Sequence, residues 1–463
     1  MQEISLVVYP DQPNRSPWIA QLAPDGPPRP LKTDATTDVA IVGAGIAGVA
    51  TAFFTLRSTA NRVLLVERDR VARGATGRNA GQLTTYFERP LDDIAAEFGA
   101  DQAADAQRAF DGAHDLLDLM VAETGATVRV ERFTGHMGMY SLNHVLVHLR
   151  NNLVRRDGGL RTEACAVSED AEFLGEIPAE LGSLYALVPQ SHIRELLEID
   201  DDRYRAVLSE QKGCVNSGLL VQQVLAYLER AYPDRFRYVD RTPVERVVVG
   251  DEGAVLHTGE HAIHASRVVM STNGFVDHTV VDGSGASIGL HSDQQVSGKV
   301  GFMAAFVEER PRIPTAMSYI RNATIGGDTP YVYVTRRTYD RPEDSVTLTC
   351  MGGPEYPVNP SDYDLADPFP GAMLTLMDNE VRPFAQPSRP AGRPYDFHWH
   401  GLMGYMDGMV RVIGMHPDHP PLLYNLGCNG VGFLPSICGG ERIARILSGE
   451  RLPPSIFDPR RPS

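Results

Sequence analysis

The sequence predicts an α/β fold, in which a Rossmann-like domain is joined to a second, α+β domain built on a mixed sheet. Three observations predict it. A strand, a glycine-rich turn and a helix follow one another near the N-terminus, a similar unit lies near the C-terminus, and the segments between them carry both helical and β patterns. A chain of 463 residues is long enough to bury two hydrophobic cores.

The N-terminal unit begins with the apolar residues 39–42, which predict a buried parallel strand. Gly43 would let the chain turn sharply into a helix over residues 49–56. Gly45 would leave room for a pyrophosphate at the helix N-terminus, where free N–H groups and the helix dipole favour an anion. Gly48 would allow the helix to pack closely on the strand.

A second predicted strand, residues 62–67, ends on Glu67. A carboxylate at this position accepts hydrogen bonds from ribose hydroxyls and favours an unphosphorylated ribose. Together with Ile46 and Ala47 in the turn, the unit therefore predicts an ADP-binding cradle. This unit alone does not separate NAD from FAD.

A loop of small residues, 74–83, comes shortly after Glu67. Its small side chains would let backbone amides approach phosphate and ring edges closely, while Arg78 offers charge-assisted donors. A nicotinamide dehydrogenase does not need such a loop, whereas a longer and more rigid cofactor does. The loop and its flank supply these candidate ligand contacts: Arg68, Gly74, Ala75, Thr76, Arg78, Asn79, Ala80, Gly81, Gln82 and Leu83.

The C-terminal unit repeats the pattern of strand, glycine loop and helix. Residues 422–427 predict a strand, and residues 436–447 predict a helix that ends before Gly449. A mid-chain segment, residues 212–275, carries the pattern of an amphipathic helix followed by a hairpin. Candidate ligand contacts in these two regions, and at Gly404 in the segment 399–414 just upstream of the C-terminal unit, are Val244, Thr272, Asn273, Gly274, Gly404, Gly427, Asn429, Gly430, Val431, Gly432 and Phe433.

These three regions, in this order, resemble the D-amino-acid oxidase (DAO) superfamily, in the branch that holds glycine and sarcosine oxidases. Residues 75–83 are most similar to the gamma-glutamylputrescine oxidase group. The resemblance implies FAD as the cofactor and a glutathione-reductase-type cofactor fold. It also implies that the helix start after the C-terminal glycine loop lies beside the flavin, where it can stabilise the charge of the reduced ring.

The order of these regions predicts discontinuous domains. Residues 1–30 are expected to form a proline-rich N-terminal extension that Trp18 anchors on the surface. The FAD-binding domain is expected to comprise residues 31–90, 212–275 and 400–463, and the substrate domain residues 91–211 and 276–399.

The resemblance implies oxidation of the C–N bond of an amine or amino acid to an imine, by hydride transfer to flavin N5. Dioxygen would reoxidise the flavin to give hydrogen peroxide, and the imine would hydrolyse. Two alternatives stay open: a dehydrogenase of the same fold that passes electrons to a quinone or an electron-transfer protein, and a flavoprotein that serves a tailoring reaction or binding without oxidase activity.

The resemblance also bears on flavin attachment. Relatives that bind flavin covalently through histidine carry it where this chain has Arg78, and those that use cysteine carry it near Met403. We therefore expect non-covalent FAD.

Candidate catalytic or substrate-binding residues come from the second domain and the segment before the last strand. Tyr333, with Tyr331, is expected to line one face of a strand as an aromatic wall, and Arg336 is expected on that same face as a carboxylate or polar anchor. His136, His400 and Tyr405 are expected near the flavin.

Composition narrows the partners further. The net charge of −16 argues against nucleic acid and anionic membrane surfaces, since both reward a basic face. Five cysteines without close pairing favour reduced thiols, and no apolar run is long enough to span a membrane, so we expect a cytoplasmic protein. No residue spacing indicates a metal site. The expected partners are a small-molecule amine or amino acid and dioxygen, and nothing indicates the oligomeric state.

Overall fold

The computed structural model describes residues 11–308, 310–321, 331–385 and 394–462. Within these ranges the strands form two large sheets. The described strands are β1 Ala35–Val42, β2 Val63–Val66, β3 Gln82–Leu83, β4 Val130–Met139, β5 Ala164–Ser168, β6 Ala186–Val188, β7 Ala206–Val215, β8 Phe236–Val239, β9 Arg246–Val249, β10 Ala254–Thr258, β11 His261–Met270, β12 Thr279–Asp282, β13 Val296–Glu308, β14 Thr315–Ile320, β15 Tyr331–Asp340, β16 Ser345–Val358, β17 Phe397–Met406, β18 Val412–Met415 and β19 Leu422–Leu426.

The helices surround these sheets. Those described are α1 Pro17–Ala20, α2 Ile46–Ser58, α3 Leu91–Phe98, α4 Ala100–Asp111, α5 Ala113–Thr124, α6 Leu142–Asp157, α7 Gln190–Leu197, α8 Ser217–Ala231, α9 Gly371–Leu376, α10 Arg382–Ala385 and α11 Phe433–Leu447, and a π-helical turn, Met377–Val381, joins α9 to α10. No helix in the described ranges is both long and apolar enough to cross a membrane.

The first sheet has a parallel centre in the order β8-β2-β1-β11-β19. One edge of strand β11 pairs with β1. Along its opposite edge, the first half of β11 pairs antiparallel with β10 and its last residues pair parallel with β19. This arrangement brings the carboxyl ends of β1, β2, β11 and β19 to one edge, where open parallel sheets bind their ligands.

Helices α2 and α11 pack tightly together on one face of this sheet. A Cβ added at Gly440 of α11 would lie 2.7 Å from the backbone nitrogen of Thr51 in α2. Helices α3, α4, α5 and α8 contribute apolar residues to the same core. The helices of residues 91–124 therefore pack on the core of the first sheet.

The second sheet is mixed, in the order β17-β13-β16-β15-β14-β4-β7-β5-β6, with β3 paired to β7. Its pairs are antiparallel except for β14–β4 and β5–β6. Strand β3, at the end of the small-residue loop, joins this sheet through the pairing of Gln82 with Cys214. The loop therefore connects the two sheets directly.

The predicted fold class is confirmed. The predicted helix 49–56 is α2, which begins earlier, at Ile46, because helical hydrogen bonding starts directly after Gly45. The helix expected over residues 436–447 is α11, which begins at Phe433. The division of the chain into domain segments stays a prediction; β17, which crosses residue 400, lies in the second sheet.

Candidate functional site

A cavity of about 380 Å³ lies between the two sheets. One side is lined by Gly43, Glu67 and Asn273, which follow strands of the first sheet. The other side is lined by residues of the second sheet, among them Tyr333 and Glu355. The cavity therefore connects the edge expected to bind a nucleotide with the sheet expected to bind a substrate.

Three glycines shape the turn between β1 and α2. Gly43 adopts a φ of +104°, and a Cβ there would lie 2.6 Å from the carbonyl oxygen of Ser271. A Cβ at Gly48 would lie 1.8 Å from the carbonyl oxygen of Gly43, so only glycine lets α2 approach the turn this closely. Gly45 lines the cavity and leaves the helix N-terminus open to it.

Glu67 lies directly after β2 and is fixed by backbone amides on both sides. Oε2 accepts a hydrogen bond of 2.7 Å from Ala44 N, and Oε1 accepts one of 2.9 Å from Asp69 N. Burial raises the pKa of this carboxyl above its ordinary value. Glu67 is thereby held at the cavity wall beside the turn that carries the helix N-terminus.

The small-residue loop is held by side chains from other parts of the chain. Asn79 Nδ2 donates to Ser217 Oγ over 2.9 Å, and Asn79 Oδ1 accepts from Gly81 N over 2.7 Å. Trp18 is fully buried, donates from Nε1 to the carbonyl oxygen of Asn79 over 2.6 Å and packs against Gly81. Asn79 therefore shapes the loop, and the N-terminal extension supports it from behind.

Arg411 is a buried guanidinium beside the cavity. Its Nη2 donates to Asn425 Oδ1 over 3.2 Å and to Ser436 Oγ over 3.1 Å, whereas its Nε and Nη1 have no hydrogen-bond partner among the described residues. Burial lowers its pKa to about 10. A buried cation without a counter-ion is costly, so the cavity here favours an anion.

Most of the residues predicted to bind a cofactor line this cavity. They are Gly43, Gly45, Ile46, Ala47, Glu67, Arg68, Gly74, Ala75, Thr76, Arg78, Asn79, Ala80, Gly81, Gln82, Val244, Thr272, Asn273, Gly427, Gly430, Val431, Gly432 and Phe433. The predicted residues outside the lining are Gly48, Leu83, Gly274, Gly404 and Asn429.

Those five residues hold the walls in place. Leu83 is fully buried in the core of the first sheet. Gly404 lies against Gly274, since a Cβ on Gly404 would be 2.7 Å from Gly274 N. Asn429 Oδ1 accepts a hydrogen bond of 2.7 Å from Met406 N. The crossing of β17 over the C-terminal glycine loop depends on these contacts.

The second-sheet side of the cavity carries a group of tyrosines and acids, Tyr86, Glu88, Tyr331, Tyr333 and Glu355, which we call the tyrosine–glutamate cluster. The hydroxyl of Tyr331 donates to Glu88 Oε1 over 3.0 Å. Burial, reinforced by the carboxylate of Glu355, raises the pKa of Glu88 to about 7. Glu88 therefore exchanges its proton near neutral pH.

Two of the predicted catalytic residues belong to this cluster or border it. Tyr333 lines the cavity. Tyr405 lies beneath the lining, and its hydroxyl donates to Glu355 Oε2 over 3.1 Å.

His136 and His400 lie outside the cavity lining. His136 Nδ1 is 2.9 Å from Ser209 Oγ, and His400 Nδ1 is 2.9 Å from the hydroxyl of Tyr363. Burial lowers the pKa of both imidazoles.

The expectation that Arg336 shares the face of Tyr331 and Tyr333 is wrong. Side chains alternate along β15, so an even-numbered residue points away from the odd-numbered tyrosines. Arg336 Nη2 instead pairs with Glu198 Oε2 over 2.5 Å, and Arg336 does not line the cavity.

Sequence reasoning missed Tyr86, Glu88, Glu355 and Arg411. Tyr86 and Glu88 follow β3 in a stretch without regular periodicity, and Glu355 lies late in a long buried strand. A charged residue in an otherwise uncharged, largely buried strand is the signal that could have found Glu355. No group of three or more His, Cys, Asp or Glu suited to a metal ion occurs in the described parts of the chain.

The model of the family described as "FAD dependent oxidoreductase" (DAO) matches residues 38–446. The chain belongs to this FAD-dependent oxidoreductase family. The family predicted from the three motif regions is therefore confirmed, and FAD is the cofactor of the family to which the chain belongs.

Individual proteins match this chain less completely than the family model does. Gamma-glutamylputrescine oxidoreductase from Escherichia coli (strain K12) is 37% identical over 73 residues, which cover 16% of this chain and 17% of that protein. Glycine oxidase from Geobacillus kaustophilus has a TM-score of 0.65 at 16% identity, over 92% of this chain and 98% of that one. L-proline dehydrogenase from P. horikoshii has a TM-score of 0.67 at 15% identity, over 92% and 97%. At these identities the solved structures show the DAO fold alone.

The residues around the cavity fit FAD. The cradle at Gly43 and Gly45 excludes side chains from the N-terminus of α2, where a pyrophosphate is stabilised. The unpartnered Nε and Nη1 of Arg411 call for an anion, and Glu67 provides acceptors for ribose hydroxyls. The continuation of the cavity to the second sheet leaves room for a substrate beyond the nucleotide.

Proposed function

We propose that this chain uses non-covalently bound FAD to oxidise the C–N bond of an amine or amino acid. The observation that carries the proposal is the single cavity that joins the cradle around Gly43 and Glu67 to the tyrosine–glutamate cluster. Oxidation of an amine by flavin requires both parts side by side, one for the dinucleotide and one for a small polar substrate.

Bound FAD would supply the two-electron acceptor for a hydride from the carbon next to the amine nitrogen. The substrate loses two electrons and two protons and becomes an imine. Dioxygen takes up these electrons and protons as hydrogen peroxide. Water then converts the imine to a carbonyl compound, with release of ammonia from a primary amine or amino acid and of an amine from a secondary amine.

The residues of the cavity would divide the work of holding FAD. Glu67 would accept hydrogen bonds from the ribose, and the amide groups at the start of α2, with Arg411, would hold the pyrophosphate. The start of α11, beside Gly432, would place a helix N-terminus where negative charge develops on the reduced ring. Glycines 427, 430 and 432 would let this loop approach the ring.

Residue types at the loop and at β17 support non-covalent binding. Arg78 and Met403 both line the cavity, and neither side chain offers the imidazole or thiol needed for a covalent link to flavin. Cys428 also lines it, and burial raises the pKa of its thiol, which keeps it protonated and a poor nucleophile. We expect acid precipitation to release the whole flavin.

We further propose that the protein works in a reducing compartment such as the cytoplasm. All five cysteines are free thiols, and four of them are buried. Burial raises the pKa of Cys165 and Cys350 to about 12, so these thiols serve as packing groups.

The test of the proposed function is oxygen consumption with peroxide assay. The purified yellow protein is mixed with a panel of primary amines, secondary amines and amino acids in air. We expect at least one of them to give equal amounts of oxygen consumed, hydrogen peroxide formed and carbonyl product. Flavin reduction without peroxide would show a dehydrogenase, and no flavin reduction by any member of the panel would contradict the proposal.

A further inference from the structure

The carboxylate of Glu88 is accessible from the cavity and has room for another partner. Among the described residues, the hydroxyl of Tyr331 is its one hydrogen-bond donor, at 3.0 Å from Oε1. A carboxylate has lone pairs for several donors, and a buried one is stable only when they are filled. Glu88 lines the cavity and keeps part of its surface exposed there.

The charges around Glu88 leave an excess of negative charge. The ionic neighbours that act on it are Glu355, Lys212 and Lys299. Lys212 is fully buried and already paired, with its Nζ 2.9 Å from Glu210 Oε1. When Glu88 is ionised, the described part of this group holds three carboxylates, Glu88, Glu355 and Glu210, and the two ammonium groups of Lys212 and Lys299. One further cation would balance these charges.

Aromatic rings form the wall beside this carboxylate. The rings of Tyr331 and Tyr333 have centroids 6.1 Å apart and are tilted by 51°. Tyr333 is held over Gly352, where a Cβ would lie 2.5 Å from its hydroxyl. The faces of tyrosine rings attract ammonium groups, so this wall and Glu88 favour the same kind of ligand.

Gly430 places the cluster beside the C-terminal glycine loop. A Cβ at Gly430 would lie 2.8 Å from the hydroxyl of Tyr405 and 2.9 Å from Glu88 Oε1. The loop that we propose to lie along the flavin therefore touches the carboxylate directly. A small molecule bound to Glu88 would lie within reach of the reacting end of the cavity.

We propose that Glu88, with Tyr331 and Tyr333, binds a second, non-reacting ammonium group of a substrate that carries two amino groups. This inference rests on the proposed amine oxidation. It assigns the substrate to the class of diamines and longer polyamines, and it disfavours α-amino acids, whose carboxylate would be repelled by Glu88.

The chemistry of hydride transfer decides which nitrogen Glu88 holds. The reacting nitrogen needs a free lone pair to become an imine, so it must be neutral when it reacts. A carboxylate stabilises the protonated form of any amine that it binds. Glu88 is therefore suited to the distant ammonium group, while the reacting amine lies elsewhere in the cavity.

The experiment compares matched amines that differ by one amino group. Butane-1,4-diamine is tested against butan-1-amine, and pentane-1,5-diamine against pentan-1-amine, by anaerobic mixing with the yellow holoenzyme. The concentration dependence of flavin reduction gives an apparent dissociation constant and a limiting rate for each. We expect the diamine of at least one pair to bind about tenfold or more tightly than its monoamine in the wild-type enzyme.

Three variants test whether Glu88 is the residue that binds the second ammonium group. Glu88→Gln keeps the shape and removes the charge, and should lower the ratio of diamine to monoamine affinity by about tenfold or more. Tyr331→Phe removes the donor that orients Glu88 and should lower this ratio by a smaller factor. Glu195→Gln makes the same charge change on a side chain that is 80% exposed, and should leave the ratio at its wild-type value.

The outcomes separate the two proposals. Equal affinities for diamine and monoamine in the wild-type enzyme, or an equal loss with both amines in Glu88→Gln, would overturn the assignment of Glu88 while amine oxidation stands. If no amine in the wider panel reduces the flavin, the proposed function itself fails.

Discussion

The hydroxyl of Tyr331 donates a hydrogen bond to Glu88 across 243 positions of sequence. Glu88 lies on the segment that follows the small-residue loop and β3, and Tyr331 begins β15 of the second sheet. This bond therefore joins the segment next to the proposed flavin site to the sheet that faces it. The protonation state of Glu88 should therefore affect the stability of the fold, which can be measured.

The first prediction concerns pH. The pKa of Glu88 is raised from 4.5 to about 7 in the folded protein, chiefly by burial. Between these values the folded chain holds a proton that the unfolded chain releases, so Glu88 lowers the free energy of unfolding as pH rises through this window. Glu88→Gln removes this effect. The unfolding free energy of the variant relative to wild type should therefore rise from about pH 5 to about pH 7 and then level off.

Urea denaturation of the FAD-free protein at several pH values measures this difference. Glu195→Gln, on an exposed side chain, is the control and should show no such trend. A difference between Glu88→Gln and wild type that does not change with pH would show that the carboxyl titrates as an exposed glutamate does.

The second prediction concerns Arg411. Its buried guanidinium has no carboxylate partner in the described chain, and Nε and Nη1 lack hydrogen-bond acceptors. Arg411→Met should stabilise the FAD-free protein by about 1–4 kcal/mol, because an unpaired ion leaves the interior. The same change should weaken FAD binding about tenfold or more, because the pyrophosphate loses a charged donor.

Chemical denaturation of the FAD-free protein and flavin fluorescence titration measure these two opposite effects. Arg411→Lys keeps the charge without the planar guanidinium, and its FAD affinity should fall between those of wild type and Arg411→Met. A methionine variant that binds FAD as tightly as wild type would remove Arg411 from the cofactor site.

The third prediction concerns the support of the small-residue loop. Trp18→Phe removes the indole N–H that donates to Asn79 O over 2.6 Å, and should lower the free energy of unfolding by about 1–3 kcal/mol. Trp399 is equally buried, but its Nε1 has no partner among the described residues. Trp399→Phe is therefore the matched control, and it should lower the free energy of unfolding by less than Trp18→Phe does. Equal decreases for the two variants in a urea titration would refute the proposed role of the Trp18 hydrogen bond.

The fourth prediction concerns the nucleotide. Glu67 accepts backbone hydrogen bonds from Ala44 and Asp69 with its two oxygens. Glu67→Gln can replace only one of these acceptors and should weaken binding of both FAD and ADP about tenfold to a hundredfold. Glu195→Gln, on a side chain that is 80% exposed, should leave both affinities unchanged. An effect of Glu67→Gln on FAD but not on ADP would place Glu67 away from the ribose.

Sequence reasoning succeeded where neighbours in the chain are also neighbours in space. Gly43, Gly48 and Glu67 lie within a single strand-turn-helix-strand unit, so their spacing specifies their contacts. The start of α2 was placed late because helix patterns locate ends less well than centres.

It failed where contacts join distant segments. Glu88 meets Tyr331 and Gly430 only after both sheets have formed, and no local pattern marks it. Arg411 follows a turn and resembles a surface residue in sequence, although it is buried. Arg336 was placed on the wrong face of β15. Side chains alternate between the two faces of a strand, so an error of one position moves a residue to the opposite face.

The central claim is that the cavity between the two sheets holds FAD and an amine together. Anaerobic addition of the amine panel to the purified protein, followed by its visible absorbance, tests this most directly. The account predicts a yellow protein whose flavin absorbance is lost on mixing with at least one amine and returns when air is admitted. A protein that is colourless and does not take up FAD, or a bound flavin that no amine reduces, would contradict it.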